Sequence, residues 1–189
     1  ANASDDITVQ SSSGIGPDSS LYFLQTAIDR ISLVLTFDQT AKAEKGLQIA
    51  RKRLIEVREM IVENKLDAAK KAEKEHDRAL SQAEKAIRKL AKSNSREEID
   101  AELKLEKELE KHDREVELVR GNLELHIKVN GRITAEQQTL IDTILESMQN
   151  KTGKVKIVVE NKKSNTKIRI AALENKSKNE LDDEVNELE

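Results

Sequence analysis

Apolar side chains recur three and four positions apart through most of the chain, the period that keeps one stripe on one face of an α-helix. Leu21, Leu24, Ile28, Ile31 and Leu35 form the first stripe and predict a helix from about Asp18 to Leu35, with Pro17 at its opening turn. Thr36-Phe37-Asp38 interrupts it, and either Thr36 or Asp38 can cap a second helix carrying Ala43, Leu47, Ala50, Leu54, Val57 and Ile61. After the polar Glu63-Asn64-Lys65, a third stripe runs through Leu66, Ala69, Glu73, His76, Leu80, Ala83, Ile87 and Leu90. Ser93-Asn94-Ser95 closes it, and Ser95 with Glu98 has the spacing of a capping box. Leu105, Leu109, His112, Val116, Val119, Leu123 and His126 make a fourth, longer seam that stops at Asn130-Gly131. Thr134 with Gln137 opens a fifth helix bearing Leu140, Ile141, Ile144, Leu145 and Met148.

Beyond Gly153 the period is ambiguous. Val155, Ile157 and Val159 alternate with polar residues, as do Ile168 and Ile170 beyond the turn-like stretch from Asn161 to Asn165. That alternation predicts a small β-hairpin over residues 154–171, with a continuous helix as the competing reading. The tail from Ala172 reads as helix through Leu173, Leu181, Val185 and Leu188. The expected organisation is a flexible entry segment over 1–16, an antiparallel helical bundle over 17–152, and the hairpin with a C-terminal helix over 153–189. Short links force neighbouring helices to run antiparallel, and a strict three-four spacing favours supercoiled packing. The fold class is therefore mainly α, an elongated antiparallel bundle of coiled-coil-like hairpins.

Composition sharpens this picture. Charged residues make up 37% of the chain and aromatics 2%, so the core has to be built from Leu, Ile, Val and Ala in narrow helix–helix seams. The net charge of -3 comes from closely mixed acids and bases, and neither a basic face nor an aromatic platform is evident. That disfavours nucleic acid, although helical geometry can still sort lysines onto one face. The absence of cysteine removes disulfides, thiolate metal sites and thiol catalysis. No apolar run approaches the ~20 residues that cross a bilayer, so membrane attachment is expected only through a segment outside this sequence.

Part of the first third has a familiar form. Pro17-Asp18-Ser19-Ser20-Leu21-Tyr22-Phe23-Leu24 is followed by Leu35-Thr36-Phe37-Asp38 and then Ala41-Lys42-Ala43-Glu44. This series resembles an uncharacterised helical domain family found in secreted and envelope-anchored proteins of archaea and bacteria. The likeness covers about residues 17–90 and is densest before Leu54; Ser20 departs from it, standing where a second proline is frequent. It implies a helical fold and an extracytoplasmic location, and no activity.

Two strings place histidine on a seam: Glu73-Lys74-Glu75-His76-Asp77-Arg78 and Glu110-Lys111-His112-Asp113-Arg114. If the third and fourth helices fold back at Asn94, His76 and His112 reach the same height and can face each other. Glu73 shares a helix face with His76 at the Glu-x-x-His spacing. Two interpretations stay open. One is a transition-metal site for zinc or iron made by Glu73, His76 and His112, with Glu108 or Glu115 nearby. The other is a pair of buried polar seam residues that fix helix register. His126 lies close to the helix end, where a cation suits the macrodipole. Asn2, Asn150 and Asn175 begin N-glycosylation triplets, of which one or two arise by chance in an Asn-rich chain of this length.

Glycine-rich phosphate loops and nucleophile–base sets are missing from the sequence, so no catalytic residues and no organic cofactor are expected. The functional expectation is a non-enzymatic helical spacer or protein-interaction module of the cell envelope or exterior. It would bind a protein partner or a second copy along an exposed seam, and no nucleic acid. A metal-binding bundle is the alternative.

Overall fold

The computed structural model describes residues 15–130 and 133–188, with side chains in the last helix placed as far as Lys178. The helices are α1 (Tyr22–Val34), α2 (Gln39–Val62), α3 (Leu66–Arg88), α4 (Arg96–Asn130) and α5 (Ala135–Leu188). No strand occurs among the described residues, and the mainly α class stands. Most of the entry segment expected over 1–16 lies outside the described residues, as does Gly131.

Local chemistry sets the helix ends. Asp38 Oδ1 accepts from the Ala41 N–H at 2.7 Å and caps α2. Thr134 and Gln137 cap α5 reciprocally: Thr134 N–H donates to Gln137 Oε1 at 3.0 Å, and Gln137 N–H donates to Thr134 Oγ1 at 3.2 Å. At the α2–α3 turn, Asn64 adopts φ 56° and Lys65 N–H donates to Met60 O at 2.7 Å, a left-handed helix stop on asparagine. Asn94 also has a left-handed backbone, φ 51°, in the link just before α4. Glu98 reaches back one residue further than a capping box requires, accepting from Asn94 N–H at 2.9 Å.

Helices α2 to α5 form a four-membered ring in which α2 packs along α3, α3 along α5, α5 along α4 and α4 along α2. The ion pairs give the directions. Lys104–Glu44 and Arg51–Glu115 advance together along α2 and α4, which are parallel. Lys156–Asp113 and Arg169–Glu98 run in opposite senses, so α4 and α5 are antiparallel. Helix α2 meets α3 closely at Gly46, where an added Cβ would stand 3.0 Å from both Ala79 O and Ala83 Cβ. Only small residues permit that approach.

The stripes expected on α2, α3 and α4 are the ones buried, apart from Glu73, Val119 and His126, which are partly exposed. Two apolar clusters result. One gathers Leu54, Val57, Ile61, Ala69, Val116, Leu145 and Met148; the other gathers Leu47, Leu80, Ala83, Ile87, Leu109, Val155 and Val159. Between them each of three helices contributes a polar side chain: His76 from α3, His112 from α4 and Thr152 from α5, all fully buried.

Two sequence expectations fail. Residues 154–171 form no hairpin; α5 passes through them as part of a 54-residue helix, about 80 Å long. Val155 and Val159 are buried one turn apart, while Ile157 is 56% exposed, so the alternation marks opposite sides of a helix. Gly153 lies within α5, with nothing within 4 Å of where a Cβ would be, and it breaks nothing.

The second failure concerns α1. Helix α1 sits outside the ring, and Leu21, Leu24, Ile28, Ile31 and Leu35, expected as its buried seam, are all exposed. Tyr22, Thr26 and Leu33 on the opposite side are buried instead.

Candidate functional site

Among the described residues, three places depart from the rule of apolar inside and polar outside: the underside and outer face of α1, the histidine layer, and a buried carboxylate cluster around Thr166. Such departures are where function or strain concentrates.

Helix α1 is attached through polar groups. Arg53 and Glu56 of α2, each 1% exposed, pair at 2.6 Å from Arg53 Nη1 to Glu56 Oε1. Tyr22 Oη donates to Glu56 Oε2 at 2.8 Å, the Arg53 guanidinium lies 5.2 Å from the Tyr22 ring centroid, and Arg53 Nη2 donates to Asp29. Arg30 adds a bond to Glu75 on α3 at 2.6 Å. Inward residues Tyr22, Thr26, Asp29 and Leu33 follow one another four, three and four apart, so they share a face that meets this latch. Burial, and then the Glu56 charge, push the Tyr22 phenol well above its usual range.

The chain has a single tyrosine, so its titration can be followed by ultraviolet absorbance without overlap. A folded pKa above the unfolded ~10 means that stability is complete below pH 10 and lost as pH rises beyond it. Ionisation of Tyr22 should therefore lag behind that of free tyrosine and coincide with release of α1. A simple titration near pH 10 would place Tyr22 in water.

With its polar side inward, α1 turns its aliphatic stripe to solvent. Phe23, Val34 and Phe37 extend this surface and are exposed by 63%, 68% and 85%. Patches of this kind mark interaction surfaces in soluble proteins.

In the bundle centre, His76 and His112 meet as expected, Nε2 to Nε2 at 2.8 Å, and both are fully buried. Glu115 Oε2 lies 3.9 Å from His112 Nδ1 and accepts from Arg51. At 3.9 Å that carboxylate is too far to accept a hydrogen bond, so His112 Nδ1 has no partner, and between the two facing Nε2 atoms one donates and the other accepts. Burial, then His112 and Lys151, hold His76 well below the ordinary histidine range. His76 is therefore neutral, and its Nδ1 has no hydrogen-bond partner.

The remaining residues of the expected metal set are engaged elsewhere. Glu73 accepts from Ser147 Oγ at 2.6 Å, and Glu115 is held by both nitrogens of Arg51 at 2.6 and 2.8 Å. Glu108 is half-buried. Among the described residues, no three His, Asp or Glu side chains gather as a ligand set. The structure thus brings together His76 and His112, but neither Glu73 nor Glu115 completes a cage around them.

Sequence reasoning missed a further polar cluster at the far end of the bundle. Thr166, fully buried on α5, places Oγ1 2.9 Å from Glu102 and 3.1 Å from Glu98, while Arg169 binds Glu98 at 2.5 Å. Burial pushes Glu102 upward; in Glu98 the same effect is outweighed by Arg169, the Asn94 N–H and Thr166, and its carboxyl is lowered. The signal was available, because Glu98 and Glu102 continue the Leu105–Leu109 seam backward at helical spacing. The glycosylation triplet at Asn150 is also reinterpreted: its Thr152 is buried and donates to Met148 O at 2.8 Å.

Residues 14–126 match the family described as a domain of unknown function, DUF5667. The chain belongs to that family. The DUF5667 match extends beyond the stretch on which the resemblance rested and includes α1, the latch and both histidines; α5 lies outside it. Comparison with curated proteins and with solved structures gives no match.

Proposed function

We propose that this DUF5667 protein is a non-enzymatic helical interaction module of the cell envelope or exterior, and that the outer face of α1 is its contact surface. One observation carries the reading: a peripheral helix held by buried polar bonds presents its whole aliphatic stripe to solvent. The charged four-helix bundle acts as a rigid spacer that displays this face. The extracytoplasmic location rests on the likeness of the Pro17–Leu54 stretch to envelope-anchored proteins. Photo-crosslinking from position 31 in source cells tests the contact surface. A crosslinked species absent from a Lys111 control is expected; no species from position 31 would overturn the assignment. Fractionation tests the location, and protein confined to the cytoplasm would overturn that part.

A zinc or iron site is the second reading, favoured by the facing Nε2 atoms of His76 and His112 alone. It requires Glu73 to leave Ser147. Elemental analysis of protein purified without chelator or histidine tag decides it, and metal-free protein with no gain in melting temperature on zinc addition would remove it.

A further inference from the structure

We infer that the partner of the α1 face is a second copy of this chain, with the two α1 helices packed against each other about a two-fold axis. The inference rests on the interaction-module reading and names its partner.

Spacing is the first argument. Positions 21, 24, 28, 31 and 35 advance by three and four without exception, the a/d pattern of a two-helix seam. A partner helix exploits that repeat along its whole length.

Area is the second. Leu21, Phe23, Leu24, Ile28, Ile31, Val34, Leu35 and Phe37 are each between 46% and 85% exposed. Taking about 150–200 Å² for a full side chain, they offer roughly 850 Å² of apolar surface. The five stripe residues supply roughly 500 Å² of it and the flanking Phe23, Val34 and Phe37 the rest. A standard-size interface buries about 800 Å² per partner. A two-fold contact places the same patch on both sides, so its two halves match in extent and polarity.

Charge is the third. Gln25, Ala27, Ser32 and Val34 border the stripe and carry no charge. The charged residues within α1, Asp29 and Arg30, are bound to Arg53 and Glu75. An anionic bilayer surface selects a helix rich in Lys and Arg on its polar face, which α1 lacks. An oppositely charged partner finds no free charge here, whereas a second copy meets no like-charge penalty.

The absence of cysteine makes the test direct. Light scattering with size exclusion, at on the order of 10 µM and above, should give the mass of a dimer. Mild oxidation of Ile28→Cys, the central rung of the stripe, should give a disulfide-linked dimer, while Lys111→Cys on the exposed side of α4 should not. The double variant Ile28→Glu/Ile31→Glu should weaken association by at least ~100-fold and keep its helical circular dichroism, because both positions are solvated in the monomer.

A dimer that persists in the double-Glu variant would overturn the inference. Loss of folding in that variant would do so too, since the face would then be buried within one chain. A monomeric wild type also overturns it, and a hydrophobic dye separates that failure from failure of the interaction-module reading. Dye fluorescence that disappears in the double-Glu variant leaves an open face for a different partner; no dye signal sinks both readings.

Discussion

Arg53→Met is expected to destabilise the protein by about 3–5 kcal/mol, much of what a domain of this size possesses. The reason is the state in which it leaves Glu56. Both residues are 1% exposed, and Glu56 accepts two bonds from Arg53 Nη1, at 2.6 and 2.8 Å, and one from Tyr22. Methionine fills the space but leaves a carboxylate in an apolar surround with one phenol as its donor. Asp29 loses its buried partner at the same time, so α1 should detach from α2 first. Urea unfolding gives the magnitude, and hydrogen exchange in α1 gives the location. The double variant Arg53→Met/Glu56→Met should recover most of the loss, because removing both charges of a buried pair is often neutral. A single-variant cost below ~1 kcal/mol would mean that Glu56 is solvated and that α1 is not latched by this pair.

Acidification should weaken the bundle through its histidine layer. An unfolded histidine titrates near pH 6.5, whereas folded His76 is held well below that value by burial, by His112 and by Lys151. Between the two values the unfolded chain binds more protons. The contribution of His76 is thus complete above pH ~6.5 and is lost as pH falls toward its folded value. The groups facing the layer are Lys151 from α5, Glu115 from α4 and, behind Glu115, Arg51 from α2. Urea melts at pH 7.5, 6 and 5 should show the decline, and His76→Leu/His112→Leu should flatten it, since no buried imidazole then remains in the layer. His112→Leu alone should cost about 1–3 kcal/mol at neutral pH by leaving the buried His76 Nε2 without a hydrogen-bond partner. Equal slopes for wild type and double variant over this range would show that other groups carry the acid sensitivity.

The same layer explains why a bundle would accept polar residues at its centre. His76 can meet His112 only when α3 and α4 are in one register, and sliding either helix by a turn would set imidazole against Leu or Ala. The clusters on either side are aliphatic and tolerant of such slips, so the polar layer supplies the discrimination they lack. A metal ion is unnecessary for that role.

Periodicity showed that α2, α3 and α4 are amphipathic and which of their sides is buried. Cap chemistry offered Asp38 beside Thr36, a polar break at Glu63-Asn64-Lys65 and Thr134 as helix ends. The seam positions let His76 face His112 once α3 and α4 folded back. These follow from local rules, because a three-four stripe and a capping side chain act within a few residues of themselves. Val155, Ile157 and Val159 satisfy a period of two and a helical turn equally well, and the choice fell to the neighbours: Thr152 and Thr166 continue the buried face of α5 against α4, which a search confined to apolar residues passes over. Helix α1 shows the firmest limit. Its stripe is legible, but which side turns inward depends on Arg53 and Glu56, residues 24 or more positions away that bind Asp29 and Tyr22. Only the assembled structure brings those groups together, and it leaves the aliphatic side of α1 facing out.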